Sequence, residues 1–152
     1  MDMSLLRVGL RAGAVAGVLS GAPSTAHALV TGRSAVDSVR AAGTVLLPDE
    51  RAPGALTAAG MVAHGAISLG WGVVLAAVLP RRHAVAWGAL AGLAIAGLDL
   101  GVLARRRPRI RALPTAPQVA DHVAYGALVG LLLSRAGAPG RARRARTHAR
   151  RW

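Results

Sequence analysis

The 152-residue sequence contains no cysteine, lysine, asparagine or phenylalanine, and only four aromatic residues, three Trp and one Tyr. Without cysteine there is no disulfide framework, no thiol nucleophile and no thiolate metal site, and the redox compartment leaves no mark on the chain. Lys, Asn and Phe are the residues a GC-rich genome encodes least, so their absence reports codon usage rather than function. Acidic side chains are also scarce, six against 19 arginines, for a formal net charge of +13. Only 16% of residues are charged and 53% are hydrophobic, too apolar for an ordinary small soluble domain. The arginines gather between and after long uncharged stretches instead of striping helix faces, so no nucleic acid is expected as a partner. A membrane surface with anionic lipid is expected in its place.

What is present is a set of long apolar runs. A bilayer core of about 30 Å needs roughly 20 apolar residues in a helix. Four runs meet that length, at about 5–31, 55–79, 84–104 and 116–134. The second carries no formal charge, the third only Asp99 and the fourth only Asp121. Between the first two, "RSAVDSVRAAGTVLLPDE" places Ala35, Val36, Val39, Ala42 and Leu46 on one helical face and Arg33, Asp37, Arg40 and Thr44 on the other. It is too short to span and predicts an amphipathic helix in the headgroup region, ended by Pro48. A soluble helix packed on a loop is the alternative. The expected fold is therefore all-α: an integral membrane four-helix bundle over residues 1–135, with an interfacial amphipathic helix between spans 1 and 2. A basic, disordered tail follows over 136–152.

An even number of spans puts both termini and the 80–83 loop on one side, which divides the arginines 11 to 8. The count and the tail "RARRARTHARRW" favour cytoplasmic N and C termini in the cell (plasma) membrane, although "RRRPRIRALPTAP" argues the other way. In the tail, Arg143, Arg144, Arg146, Arg150 and Arg151 are the candidate contacts to lipid headgroups.

The first run has a competing reading. "GAVAGVLSGAPSTAHALVTGR" offers Ala26-His27-Ala28 as a signal-peptide cleavage box, which would release a chain beginning at Leu29. Arg11 inside the run and glycine every fourth residue fit a retained helix better. An internal echo points the same way: "GAVAGVLSGAPS" from Gly13 aligns without a gap on "GALAGLAIAGLD" from Gly88. Spans 2 and 4 resemble each other more loosely, "MVAHGAISLG" against "QVADHVAYGALVG". Such a repeat of helix pair plus helix pair would be parallel, related by an axis along the membrane normal; chance matching in a chain rich in Ala and Gly is the alternative.

Gly9, Gly13, Gly17 and Gly21 recur every four residues on the first run, and Gly88 and Gly92 on the third. Small-xxx-small faces let membrane helices approach closely, so these glycines are expected at helix contacts, within a compact bundle or across a homodimer.

Ionisable residues within spans are costly and mark candidate function. Here they are His27, His64, Asp99, Asp121 and His122, with Ser24 and Ser68 as neutral company. His27 and Asp99 come late in outgoing spans, whereas His64, Asp121 and His122 come early in returning ones. All five therefore fall in the half of the bilayer nearest the 32–54 and 105–115 loops. Gly60, His64, Ser68 and Trp71 share one face of span 2. A polar pocket for solute or proton handling, centred on Asp99 and His64, is one reading of this set; a structural or accessory subunit, whose polar groups only join helices, is another. A third is haem held by His64 and His122 across the bundle, although four aromatics would wall a porphyrin poorly. No H-E-x-x-H or paired-acid motif is present, so neither a metal site nor a catalytic residue is assigned, and enzymatic activity is not expected.

Taken in order, "AGVLSGAPSTAHALVTGR", "VRAAGTVLLP", "AHGAISLGWG" and "GLDLG" resemble a family of small uncharacterised actinobacterial multi-span membrane proteins, over most of residues 8–133. The resemblance implies a retained first span and a cell-membrane location. It implies no activity and no site residues.

Overall fold

The computed structural model describes residues 2–136; the expected tail contacts at Arg143, Arg144, Arg146, Arg150 and Arg151 lie outside the described residues. Helix dominates and no strand occurs among the described residues. Helix α1 (Met3–Leu19) starts at Asp2, whose carboxylate accepts from the Ser4 N–H at 2.9 Å and caps the first turn. These bonds to Ser4 hold the exposed Asp2 carboxyl below its ordinary range.

The first expected span is broken. Pro23 lacks an N–H and its ring opposes the carbonyl four residues back. The chain accordingly turns at Ser20 and Gly21 and restarts as α2 (Ala22–Val30), with Pro23 in its first turn. Gly32, at φ +67°, turns the chain out of α2.

The expected 33–50 amphipathic helix is reduced to α3 (Asp37–Gly43). It does not lie free on a surface: it packs along the start of α4 (Pro53–Val78). Ala41, Gly43 and Thr44 are buried there, while Leu46, expected on the buried face, is exposed. Backbone contact explains the shift. A Cβ on Gly43 would run into the Leu56 carbonyl, and one on Gly60 into that of Val39. The face that packs is the one without bulk.

Before α4, the Glu50 carboxylate accepts from the N–H groups of Arg51 at 2.6 Å and Ala52 at 2.7 Å. Those two bonds lower its pKa from the ordinary 4.5. Pro53 at the first position of α4 has no N–H to leave unpaired. The helix ends at Val78, because Leu79 precedes Pro80 and is extended. His83, at φ +55°, turns the chain into α5 (Ala84–Leu98). A π-helical turn (Asp99–Leu103) and a 3-10 turn (Ala104–Arg106) continue it, followed by the short α6 (Pro108–Arg111) and by α7 (Thr115–Ala136).

Among the described residues, three helical segments are long and apolar enough to cross a membrane: Met3–Val30, Pro53–Val78 and Ala84–Arg106. Helix α7 has the length, 22 residues, but Gln118, Asp121 and His122 lower its apolarity and it is not one of the three. The surface fits a lipid environment. Val18, Leu29, Val30, Met61, Val62 and Val78 are each more than 60% exposed, an apolar exterior that water would penalise. The interior is thin, built from Ala12, Ala16, Leu75, Ala76, Leu79, Ile95, Tyr125, Val129 and Leu133.

Two close helix pairs carry this core. In the first, Gly9, Gly13 and Gly17 of α1 lie against Ser68, Gly72 and Val73 of α4. A Cβ on Gly17 would stand 2.8 Å from the Ser68 side chain. Gly21 departs from the expected glycine face: it sits in the break after α1, and a Cβ there would meet nothing within 4 Å. In the second pair, Gly88 and Gly92 of α5 meet the carbonyls of Gly126 and His122 on α7. Both glycine faces are thus occupied by helices of the same chain. Further contacts of α7 with α1 and α2 join the pairs.

Candidate functional site

The break in α1, the end of α5 and the first half of α7 converge on a cavity of about 220 Å³, floored by α4 and bordered by α3 and α6. Its lining includes six of the seven expected polar residues: Ser24, His64, Ser68, Asp99, Asp121 and His122. His27 is elsewhere. It borders a separate crevice of about 30 Å³ beside Arg33, Asp37 and Pro117.

Each polar group is placed by a local feature. On α7, Gln118, His122 and Tyr125 follow at helical spacing and present one face to the cavity. The His122 Nδ1 is 2.8 Å from the Gln118 carbonyl, one turn back, and its Nε2 is 3.0 Å from Asp99 Oδ2. The carbonyl can only accept, so Nδ1 carries a proton and donates. A second proton must then lie between Nε2 and Oδ2, giving imidazolium with carboxylate or imidazole with carboxylic acid. Asp99 reaches this position at the first residue of the π-helical turn. Such turns recur at functional sites.

Asp121 behaves differently. Its Oδ1 accepts from the Ser24 N–H at 2.9 Å. Ser24 is in the first turn of α2, where backbone donors have no partner within the helix, so a carboxylate from α7 caps the helix that follows the break. The favourable position of an anion at a helix N-terminus applies here between two elements distant in sequence.

His64 lies opposite. With α1 stopping at Leu19, an N–H of the His64 ring donates to the carbonyl of Gly17 at 2.8 Å. Deeper in the bundle, the buried Tyr125 hydroxyl donates to the Ser68 carbonyl. The walls between these groups are apolar, with Ile67, Trp71, Ile95, Leu100 and Leu103. No side-chain N or O atom that is fully buried lacks a hydrogen-bond partner among the described residues.

Asp99 therefore takes His122 as its partner and not His64, the residue grouped with it from the sequence. Gln118 and Tyr125 were missed, as were Ser20 and Ser38 at the cavity edge. The helical spacing of Gln118, His122 and Tyr125 could have revealed the first two. Nothing in the sequence marked Ser20 or Ser38. No group of three or more His, Asp or Glu side chains suited to a metal ion occurs among the described residues. No protein-family model, curated protein or solved structure matches this chain.

Proposed function

We propose that the chain is a four-span membrane protein of two parallel helix pairs, α1 with α4 and α5 with α7, whose polar pocket handles a small solute or protons. The register of the glycine contacts supports the match of spans 1 and 3, while for spans 2 and 4 it makes Ser68, rather than His64, the equivalent of His122. Gly13 meets α4 at Gly72 and Gly88 meets α7 at Gly126; one turn on, Gly17 meets Ser68 and Gly92 meets His122. In that register the two aromatic residues of the cavity, Trp71 and Tyr125, are equivalent. The same contacts support a retained first span, because cleavage after Ala28 would remove the partner of α4 and one wall of the cavity. They also mean that a homodimer would form through other surfaces. A plasma-membrane location with cytoplasmic termini, anionic lipid around the basic tail, and kinship with small actinobacterial multi-span proteins belong to the same proposal.

One observation carries the functional reading: the Asp99–His122 pair, which requires a proton between its members, stands at the wall of a cavity within the apolar part of the chain. Intramembrane ionisable groups are costly, and such pairs serve proton relays and solute sites. Asp99→Asn keeps size and hydrogen bonding but removes the ionisable carboxyl. In vesicles reconstituted with the full chain and loaded with a pH-sensitive dye, the wild type should move protons down an imposed gradient and Asp99→Asn should not. Equal flux from both would sink the reading.

A second reading, an accessory subunit without substrate, is favoured by one specific fact. His64, Asp121, His122 and Tyr125 all bond across helices or to backbone. It expects no flux from the wild type and normal assembly of Asp99→Asn. The haem alternative would have to break both bonds at Nε2 of His64 and His122, and predicts a visible absorbance in the purified protein.

A further inference from the structure

The cavity holds two carboxylates that are not equivalent. Asp99 has an imidazole at 3.0 Å. Asp121 is bonded by Ser24 alone, through its backbone N–H, with the imidazoles of His122 and His64 near enough to act on its charge but not paired with it. Among the described residues the ion pairs are Arg40 with Asp37 and His122 with Asp99, so Asp121 has no cationic partner within salt-bridge distance. Arginine is the commonest charged residue of the chain, yet none lines the cavity among the described residues. A half-buried carboxylate among apolar walls without a counter-ion is costly. The space beside it is neither water-sized nor purely polar. About 220 Å³ exceeds the roughly 150 Å³ that accommodates benzene, and far exceeds the roughly 30 Å³ of one water. Ile67, Ile95, Leu100 and Leu103 offer an apolar wall, and Trp71 an aromatic ring able to face a cation.

We propose that the pocket takes a small monovalent organic cation, an amine of about single-ring size with an apolar body, and that Asp121 is its counter-ion. The inference rests on the reading of this cavity as a functional pocket and names the class of its ligand. The ammonium group replaces the missing cation at Asp121, and the apolar body covers the walls. His64 and the Asp99–His122 pair border the same space, and Tyr125 closes its depth. These groups, with Asp121, are the titratable side chains that face the ligand. The break after α1 presents Ser20 to the cavity, α2 presents Ser24, α3 presents Ser38 and Ala42, and α6 presents Ile110.

The test uses the full chain purified in mild detergent and three probes of equal size: benzylamine, benzyl alcohol and benzoate. Thermal stability is followed as each is titrated at neutral pH. Benzylamine should stabilise the protein saturably, and the neutral and anionic analogues should do so at least tenfold more weakly. Asp121→Asn retains an oxygen to accept from Ser24 and loses the charge, so its melting temperature without ligand should stay near that of the wild type while benzylamine affinity falls at least tenfold. Ile67→Trp, which fills the cavity without altering a charge, should lose benzylamine as well. Equal affinity for benzylamine and benzyl alcohol, a preference for benzoate, or undiminished benzylamine binding by Asp121→Asn would each overturn the assignment. If benzylamine fails to bind while Asp99→Asn still abolishes proton flux, this inference falls and the pocket reading survives; if Asp99→Asn also changes nothing, both fall.

Discussion

His64 of α4 donates to the carbonyl oxygen of Gly17 at 2.8 Å, just before α1 breaks. The bond joins the two halves of the first helix pair at the point where the backbone of α1 stops supplying its own donors. Removing the imidazole leaves a carbonyl without that donor in a setting of low polarity. His64→Ala should therefore lower stability by about 1–3 kcal/mol, and His64→Gln, which can still donate, by less. Denaturant titration of the two variants in detergent checks the order. Equal stability of both with the wild type would show that the bond carries no weight.

The second helix pair depends on two glycines meeting backbone to backbone. A Cβ on Gly88 would enter the space of the Gly126 carbonyl, which belongs to a neighbouring helix and cannot move aside as a flexible side chain could. Gly88→Ala should cost about 1–3 kcal/mol. Gly97 on the same helix is exposed and meets nothing within 4 Å. There the same substitution should be neutral, or stabilising by up to about 1 kcal/mol through helix propensity. Thermal melts of the pair show a loss for Gly88→Ala and none for Gly97→Ala if close approach, rather than glycine itself, is what α5 needs.

Tyr125 is 7% exposed, and its hydroxyl bonds the Ser68 carbonyl on α4. Tyr125→Phe keeps the ring and its packing, so the expected loss is about 1 kcal/mol, the usual net worth of one hydrogen bond. A loss several times larger in the same unfolding assay would mean that the hydroxyl organises more of the cavity than this one bond.

The Asp99–His122 pair should be thermodynamically coupled. In a double-mutant cycle of Asp99→Asn and His122→Gln, the two effects should fall short of additivity by about 0.5–3 kcal/mol, as for residues in direct contact. Asp99 with His64 should add within experimental error. The reverse pattern would restore the pairing first expected from the sequence.

Acid sensitivity at the start of α4 has a definite sign. Two backbone N–H groups bond the Glu50 carboxylate and lower its pKa from the ordinary 4.5. A carboxyl with a lowered folded pKa contributes stability in full above its unfolded value and loses it as pH falls through the folded one. The wild type should thus lose stability relative to Glu50→Gln as pH drops below the unfolded value of 4.5, and the two curves should run parallel at higher pH. A constant gap at every pH would remove the Glu50 charge from the explanation.

The sequence by itself determined the long helices and the order of the polar groups along them. Long apolar runs can satisfy their backbone in lipid only as helices. The position of an ionisable residue along a run, early or late, follows from counting. Gly88 and Gly92 could be read as a packing face for the same reason, since a face without side chains is a local property. Even the break in α1 was present in the sequence as Pro23, passed over because the run as a whole looked long enough to span. What the tertiary structure alone decided was partnership. Asp99 pairs with His122 because it lies two turns on from Gly92, on the face of α5 that packs against α7. Asp121 caps α2 because the break delivers bare N–H groups beside it, and α3 packs on α4 where Gly43 meets the Leu56 backbone and Gly60 meets Val39. Periodicity along one helix says which residues share a face. Which face meets which is set by the closest approach of backbones far apart in the chain, and that appears only when the helices are packed.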